Sequence, residues 1–245
     1  MEVIRSQNNT KIKNWCKLHE KKYREREQKF LIENEHLILE AISAHLLDSL
    51  ILLEDVKNPF DFDGNIIYVS EDVMKKLKMN QSLPQYMAVV NIPKAQSNLG
   101  NKIIICDDVQ DPGNLGTMIR SSYSFGYDTC IVSNKSVDIY NDKTVRASQG
   151  AIFHMNLIRG NLKDFVLKLK NDGYQVYATS LRNAKGLSEF ENTEKLALIF
   201  GNEGSGVSEE MLNLSDDNIF IEMNRFESLN VAMACGICCY YFRKM

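Results

Sequence analysis

Apolar residues along the chain fall into short runs whose spacing switches between strand-like and helix-like. In the first ninety or so residues, Phe30-Leu-Ile reads as a strand, residues 35–47 as an amphipathic helix and residues 49–53 as a second strand. A third strand follows at 65–69, then a helix that Ser70 can cap, then a fourth strand at 86–92. Residues 94–101 are polar, without periodicity, and read as a linker. Beyond it, strands at 103–106, 129–132, 155–158, 175–179, 196–200 and 218–221 alternate with helical stretches such as 161–170. The pattern predicts an α/β chain in two parts. A small α/β domain spans residues 1–93, and a parallel-sheet domain covered by helices on both faces spans 102–245. A last helix starts near Ser228, with Ser228 or Asn230 as its cap. Leu229, Val231, Ala232, Met233, Ala234, Ile237, Cys238, Tyr240 and Tyr241 make it apolar on nearly every side, the mark of a helix buried in a core or at an interface.

Composition narrows the class. With 245 residues and 44% hydrophobic content, the chain can hold one large or two modest domains. It has no run of about 18 apolar residues and no apolar signal core at its start, so the expected compartment is the cytoplasm. Cys106, Cys130, Cys235, Cys238 and Cys239 lie in apolar runs and read as buried thiols rather than bridges. Cys235-Gly-Ile-Cys238 has metal-like spacing, but no second ligand pair lies nearby and the four histidines are scattered singly, so no metal is assigned. A net charge of -3 gives no overall attraction to nucleic acid. The distribution is uneven, however: between Arg5 and Lys29, nine cations face Glu20, Glu25 and Glu27. That stretch reads equally as a phosphate-neutralising patch or as a solvated helix face.

Candidate chemistry gathers in three polar loops, each following a predicted strand. Such loops line the ligand crevice of an open α/β sheet. The first runs from Asp111-Pro-Gly to Arg120. Asn114 is a natural helix cap there, and Gly116 and Arg120 lie four apart on one helix face, so the missing side chain at Gly116 leaves room for a substrate; a packing glycine beside a salt-bridged surface arginine is the structural alternative. The second, Gly201-Asn-Glu-Gly-Ser-Gly, places three glycines in six residues. It lacks both the Gly-x-Gly-x-x-Gly of dinucleotide sites and the Gly-Lys-Ser/Thr of a P-loop, which removes a nucleotide-binding oxidoreductase; a plain glycine turn capped by Ser208 is the structural alternative. The third, Glu227-Ser-Leu-Asn230, opens the last helix.

Taken together and in order, Asn114-Leu-Gly116 with Arg120, Gly201-Asn-Glu203-Gly with Gly206, and Glu227-Ser-Leu-Asn230 resemble the three motifs of the SpoU (TrmH) branch of the SPOUT RNA methyltransferases. Arg146-Ala-Ser-Gln-Gly-Ala-Ile-Phe153 extends the likeness over most of residues 102–245. Lys21-Lys-Tyr-Arg24 and Phe30-Leu-Ile-Glu33 look like the opening of the ribosomal-protein-like RNA-binding domain that precedes it in many members.

The resemblance implies an S-adenosylmethionine-dependent RNA 2′-O-ribose methyltransferase acting on rRNA or tRNA, with a deep trefoil knot and a homodimeric assembly. Periodicity alone predicts only an ordinary doubly wound sheet. On the same ground Asn114, Arg120, Glu203, Ser228 and Asn230 are the expected catalytic residues. Thr179, Gly201, Ile221, Met223 and Leu229 are the expected cofactor contacts, chiefly through main-chain groups. Two positions depart from the family pattern: Glu222 stands where members usually carry proline, and Arg225 stands near the place of a glycine. Those departures leave a second reading, a noncatalytic RNA-binding or ribosome-assembly protein that kept the fold.

Overall fold

The computed structural model describes residues 3–225 and 228–243. The first part of the chain runs β1 (Val3–Ile4), α1 (Thr10–Lys17), α2 (Lys21–Glu27), β2 (Lys29–Glu33), α3 (Glu35–Ser43), β3 (Leu47–Leu53), β4 (Asn65–Val69), α4 (Glu71–Leu77) and β5 (Tyr86–Asn91). Its strands form one mixed sheet in the order β1-β4-β3-β5-β2. Four strands, β2 to β5, differ little from the periodic reading; β1 was not anticipated, and α1 and α2 were foreshadowed only as a solvated helix face without bounds, because that stretch advertises charge more strongly than periodicity. The predicted helix over 35–47 stops at Ser43, since His45 adopts a left-handed φ of 56° and the apolar run beyond it continues as β3. Ser70 does precede α4, but its side chain makes no capping bond.

The second part runs β6 (Lys102–Cys106), α5 (Pro112–Ser124), β7 (Thr129–Ser133), α6 (Asp142–Ser148), β8 (Asn156–Gly160), α7 (Leu162–Asn171), β9 (Gln175–Thr179), β10 (Lys185–Gly186), β11 (Leu196–Phe200), α8 (Glu209–Leu214), β12 (Asp217–Phe220) and α9 (Val231–Tyr241). Every strand pair in this sheet is parallel, in the order β10-β12-β9-β11-β6-β7-β8. The chain moves outward from β6 to β7 and β8, then crosses back, and β11 enters between β6 and β9. That reversal is a topological switch point, where open α/β sheets bind ligands.

Period-two alternation sorts the central strands between two cores. Ile104, Cys106, Leu196, Leu198 and Phe200 face the layer that holds α5, α6 and α9, whereas Ile103, Ile105, Ala197 and Ile199 face α7 and α8. The first of these cores also takes in Phe30, Ile32, Leu37, Ile38, Leu50 and Leu52, so the two sheets share one continuous apolar cluster. Phe30 bridges them directly, its ring 5.0 Å from Tyr140 and 6.1 Å from Phe153.

Arg24 reinforces that junction and corrects the charge reading. It is buried; Nε and Nη2 donate to Asp138 Oδ2 at 3.2 and 2.5 Å, and Nη1 donates to the carbonyls of Leu18 and His19. It is therefore structural and unavailable to phosphate. Arg5, Lys21, Lys22, Arg26 and Lys29 are each paired with a carboxylate, while Lys11, Lys13 and Lys17 form no ion pair among the described residues.

Candidate functional site

The first loop leaves β6 at Asp107 and turns through Asp108, whose φ is 57°. Asp111 caps α5: its Oδ1 accepts from the Asn114 N–H at 2.9 Å, and Pro112 begins the helix. Asn114 is thus the third residue of the helix rather than its cap. The Lys143 ammonium, 3.0 Å from Asp111 Oδ2, and the Asn114 N–H hold the Asp111 carboxyl below its ordinary range. Gly116 does not open space for a substrate. It is buried where α5 meets α6, and a Cβ there would lie 2.3 Å from the Thr144 carbonyl oxygen and 2.6 Å from Ala147 Cβ. Arg120 is exposed one turn further along, with no ion pair among the described residues.

The second loop folds back on itself. Asn202 and Gly206 exchange two backbone hydrogen bonds of 3.0 and 2.9 Å, and Asn202 Oδ1 accepts from the Gly204 and Ser205 N–H groups. Gly201 lies so close beneath the returning strand that a Cβ would come 2.1 Å from Val207 N. The Asn202 amide donates to the Asp108 carbonyl at 2.9 Å, and Ser208 N–H donates to Asp107 Oδ2 at 2.8 Å, which fastens this loop to the first. Glu203 completes the link. Its Oε1 accepts from Asp111 N–H and from Asn114 Nδ2, both at 3.0 Å, and its Oε2 accepts from Gln110 N–H at 3.1 Å. Burial works to raise its pKa, but the bonds from Asn114, Asp111 and Gln110 outweigh that and hold the carboxyl below its ordinary range.

The third loop joins through Asn230, which caps α9. Its Oδ1 accepts from Ala232 N–H at 2.9 Å and Met233 N–H at 3.3 Å, and its Nδ2 donates to Asn114 Oδ1 at 3.0 Å. The polarity of the whole chain of bonds follows from its two ends. An ionised carboxylate only accepts, so Asn114 must turn its NH₂ to Glu203 and its oxygen to Asn230. Asn230 has already given its own oxygen to the helix, leaving its NH₂ for Asn114. Glu227 of the third motif lies outside the described residues.

These loops enclose a crevice of about 850 Å³ at the carboxyl ends of β6, β9, β11 and β12. Thr179, Gly201, Glu203, Ile221, Met223, Ser228, Leu229 and Asn230 all line it. Asn114 reaches it through its bonds to Glu203 and Asn230, whereas Arg120 is not part of its lining. Thr179 borders by position, its hydroxyl being spent on the Ile199 carbonyl at 3.0 Å. Sequence reasoning passed over Asp107, Gln110 and the rim pair Arg182–Glu209, 2.6 Å apart. Nothing in the local sequence marks Gln110, because its part is played by a backbone N–H. The Cys235 thiol lies 3.8 Å from that of Cys239 inside the α9 core, and burial pushes it up, away from ligand chemistry. No group of three or more His, Cys, Asp or Glu among the described residues could hold a metal ion.

A parallel sheet whose switch-point crevice is roofed by three interlocked polar loops defines an α/β protein built to hold a small ligand at its strand ends and present it outward. The particular family is given by comparison. Residues 101–240 match the family described as SpoU rRNA Methylase, and the chain belongs to it. Residues 9–88 match the MRM3-like substrate binding domain. A curated relative, the 23S rRNA (guanosine(2553)-2′-O)-methyltransferase RlmP of Bacillus subtilis, is 38% identical over 99% of this chain and all of its own length. Among solved structures, the AdoMet-bound rRNA methyltransferase of Sinorhizobium meliloti superposes with a TM-score of 0.85 at 24% identity, covering 98% of this chain and 96% of the other. The SpoU methyltransferase AviRb of Streptomyces viridochromogenes, solved with AdoMet, gives 0.85 at 24% identity over 96% and 97%. At that identity the two structures establish the fold.

Proposed function

We propose that the protein is an S-adenosylmethionine-dependent 2′-O-ribose methyltransferase of ribosomal RNA. The observation that carries this reading is the continuous Asn230–Asn114–Glu203 hydrogen-bond chain closing one wall of the strand-end crevice. The full-length relative that modifies 23S rRNA supports rRNA as the substrate class, and with it the cytoplasm as the place of work.

The residues present fit the cofactor. The crevice is large enough for an adenosine-sized ligand, is flanked by apolar Ile221, Met223 and Leu229, and includes the carboxylates Asp107 and Glu203, which suit a cationic sulfonium. Thr179, Gly201, Ile221, Met223 and Leu229 would hold it. Bound S-adenosylmethionine would supply an activated methyl group. The protein's own contribution is alignment and exclusion of water. Glu203 is ionised and has three donors aimed at it, so it fixes Asn114 and the loop of Gln110 and Asp111 rather than serving as a base. Ser228 and Asn230 face the reacting centre. A guanidinium is a cation with five donors and no acceptor, so Arg120 binds the phosphate beside the target ribose and lowers the 2′-hydroxyl pKa electrostatically, with water or phosphate taking the proton.

A second copy of the chain completes the reading. Met233 is 59% exposed and Tyr240 55%, seven residues apart on one side of α9; Leu229, just ahead of the helix, is 41% exposed, and so is Tyr123, three residues from Arg120 on α5. Large apolar side chains grouped in this way suit a protein interface. In a homodimer built on that face, Arg120 of one subunit works beside the crevice of the other, which accounts for its absence from the lining of its own. The same reading includes the two-domain division at residues 94–101, an RNA-docking face at Lys11, Lys13 and Lys17, and a deep trefoil knot. The knot is supported by α9, which follows β12 yet packs against α5 beside β6.

Transfer of labelled methyl from S-adenosylmethionine to rRNA, with ribose methylation mapped at nucleotide resolution, tests the activity. Arg120→Ala should lose turnover by two orders of magnitude or more while cofactor affinity changes little. Parallel losses of both would remove Arg120 from the ribose side.

A further inference from the structure

The wall of the crevice formed by Ile221 and Met223 lies beyond the last residue of β12, where the sheet no longer holds it. β12 has only β10 as its outer neighbour, and their register runs no further than Lys185 opposite Ile219 and Gly186 opposite Phe220. Two residues later, Glu222 takes over. Ile221 and Met223 line the crevice, while Glu222 between them reaches the turn at residues 187–189. Its Oε1 accepts from the Ser188 N–H at 3.0 Å and from the Ser188 hydroxyl at 2.5 Å.

A second feature is shaped around that contact. A Cβ at Gly186 would come 2.5 Å from Glu222 Oε1, so glycine leaves the space the carboxylate occupies. The turn itself is braced, with Glu189 Oε1 accepting from the Gly186 N–H at 2.7 Å. The neighbouring Lys185 ammonium is engaged 2.8 Å away by Asp217, which leaves the serine as the partner of Glu222. The Ser188 hydroxyl bond holds the Glu222 carboxyl below its ordinary range, so the acceptor is charged at neutral pH.

We propose that Glu222 is a positioning residue for the cofactor-facing wall: by gripping Ser188 it carries the order of the β12 edge on to Met223, so that affinity for S-adenosylmethionine depends on it. This rests on the function proposed above. Glu222 itself is not part of the crevice lining, and its effect passes through Ile221 and Met223.

Calorimetric titration of the full chain with S-adenosylmethionine, together with methyl-transfer kinetics on rRNA, tests it. Glu222→Ala should weaken S-adenosylmethionine binding by roughly five- to tenfold, the worth of about one charge-assisted hydrogen bond, with turnover at saturating cofactor within about twofold of the parent. Glu222→Gln, whose amide oxygen can still accept from Ser188, should recover most of the affinity. Ser188→Ala, which leaves the wall's own residues intact and so remains informative if Glu222→Ala does not fold, should weaken binding to a smaller degree. The double variant should be no worse than Glu222→Ala alone. Unchanged affinity in both single variants, or losses that simply add, would overturn the proposal. A parent protein that binds no S-adenosylmethionine would instead overturn the proposed function.

Discussion

Asn114 has one side-chain amide and two partners, and each end of it is dictated by chemistry elsewhere. Glu203 can only accept, and Asn230 has already committed its oxygen to α9, so a flip of either amide, Asn114 or Asn230, would set donor against donor and acceptor against acceptor. Glu203→Gln introduces such a conflict, because a neutral amide cannot accept from Gln110, Asp111 and Asn114 at once. Turnover should fall by about ten- to a hundredfold, with S-adenosylmethionine affinity retained to within a few-fold, as steady-state kinetics and calorimetry would register. The same carboxylate gives the site a pH signature. Its folded pKa is depressed, so the stability it contributes is fully present above the ordinary glutamate value of 4.5 and is lost as pH falls below that through the folded value. Thermal melts between pH 6 and pH 3 should therefore show a steeper acid loss for the parent than for Glu203→Gln. The residues of this chain were readable as a set from the three motifs. Their order and polarity were not, since hydrogen-bond direction belongs to the partners rather than to any one residue.

At the level of elements, sequence signals held where an apolar run is bounded on both sides. Asn65–Val69, Gln175–Thr179 and Leu196–Phe200 begin and end where the alternation does. The start of α5 was misread because Asn114 is a good cap in isolation. The stronger signal was Pro112, which belongs at the first helical position and so points one residue back, to Asp111. Gly116 was left between two readings for a different reason: an absent side chain looks the same in sequence whether it makes room for a ligand or for a neighbouring helix. Here α6 fills the room. Gly116→Ala should accordingly destabilise the protein by about 1 to 3 kcal/mol through overpacking, a loss visible in denaturant unfolding. If the side-chain space at Gly116 belonged to a substrate instead, stability would be unchanged and only binding would suffer.

Across the whole molecule, the two sheets share one apolar cluster and are pinned by a largely buried ion pair. The side chains of Arg24 and Asp138 are 9% and 15% exposed, and two of the Arg24 bonds go to backbone carbonyls. Asp138→Ala leaves that guanidinium buried without its counter-charge, and should cost about 3 to 5 kcal/mol of stability by denaturant titration. The cost falls on the junction between a surface read as RNA-docking and the methyl-transfer site, so rRNA should bind less well even where the fold survives. The exposed face of α9 and α5 carries the proposed contact between copies. Met233→Lys should shift the protein toward monomer in light scattering and lower turnover by tenfold or more, if Arg120 must come from the second subunit.

Taken by itself, the sequence determined the alternation of strands and helices, the parallel second sheet, and the three loops that carry the chemistry. Those properties are local: side-chain periodicity, turn residues and motif spacing act within a few positions of one another. Tertiary structure alone decided that Arg24 is a buried strut, that Gly116 serves helix packing, and that Glu222 grips a serine 34 residues away. Each of these turns on which distant atom lies within bonding or contact distance. Burial and hydrogen-bond partnership are relations between segments, and they come into being only when the chain closes on itself.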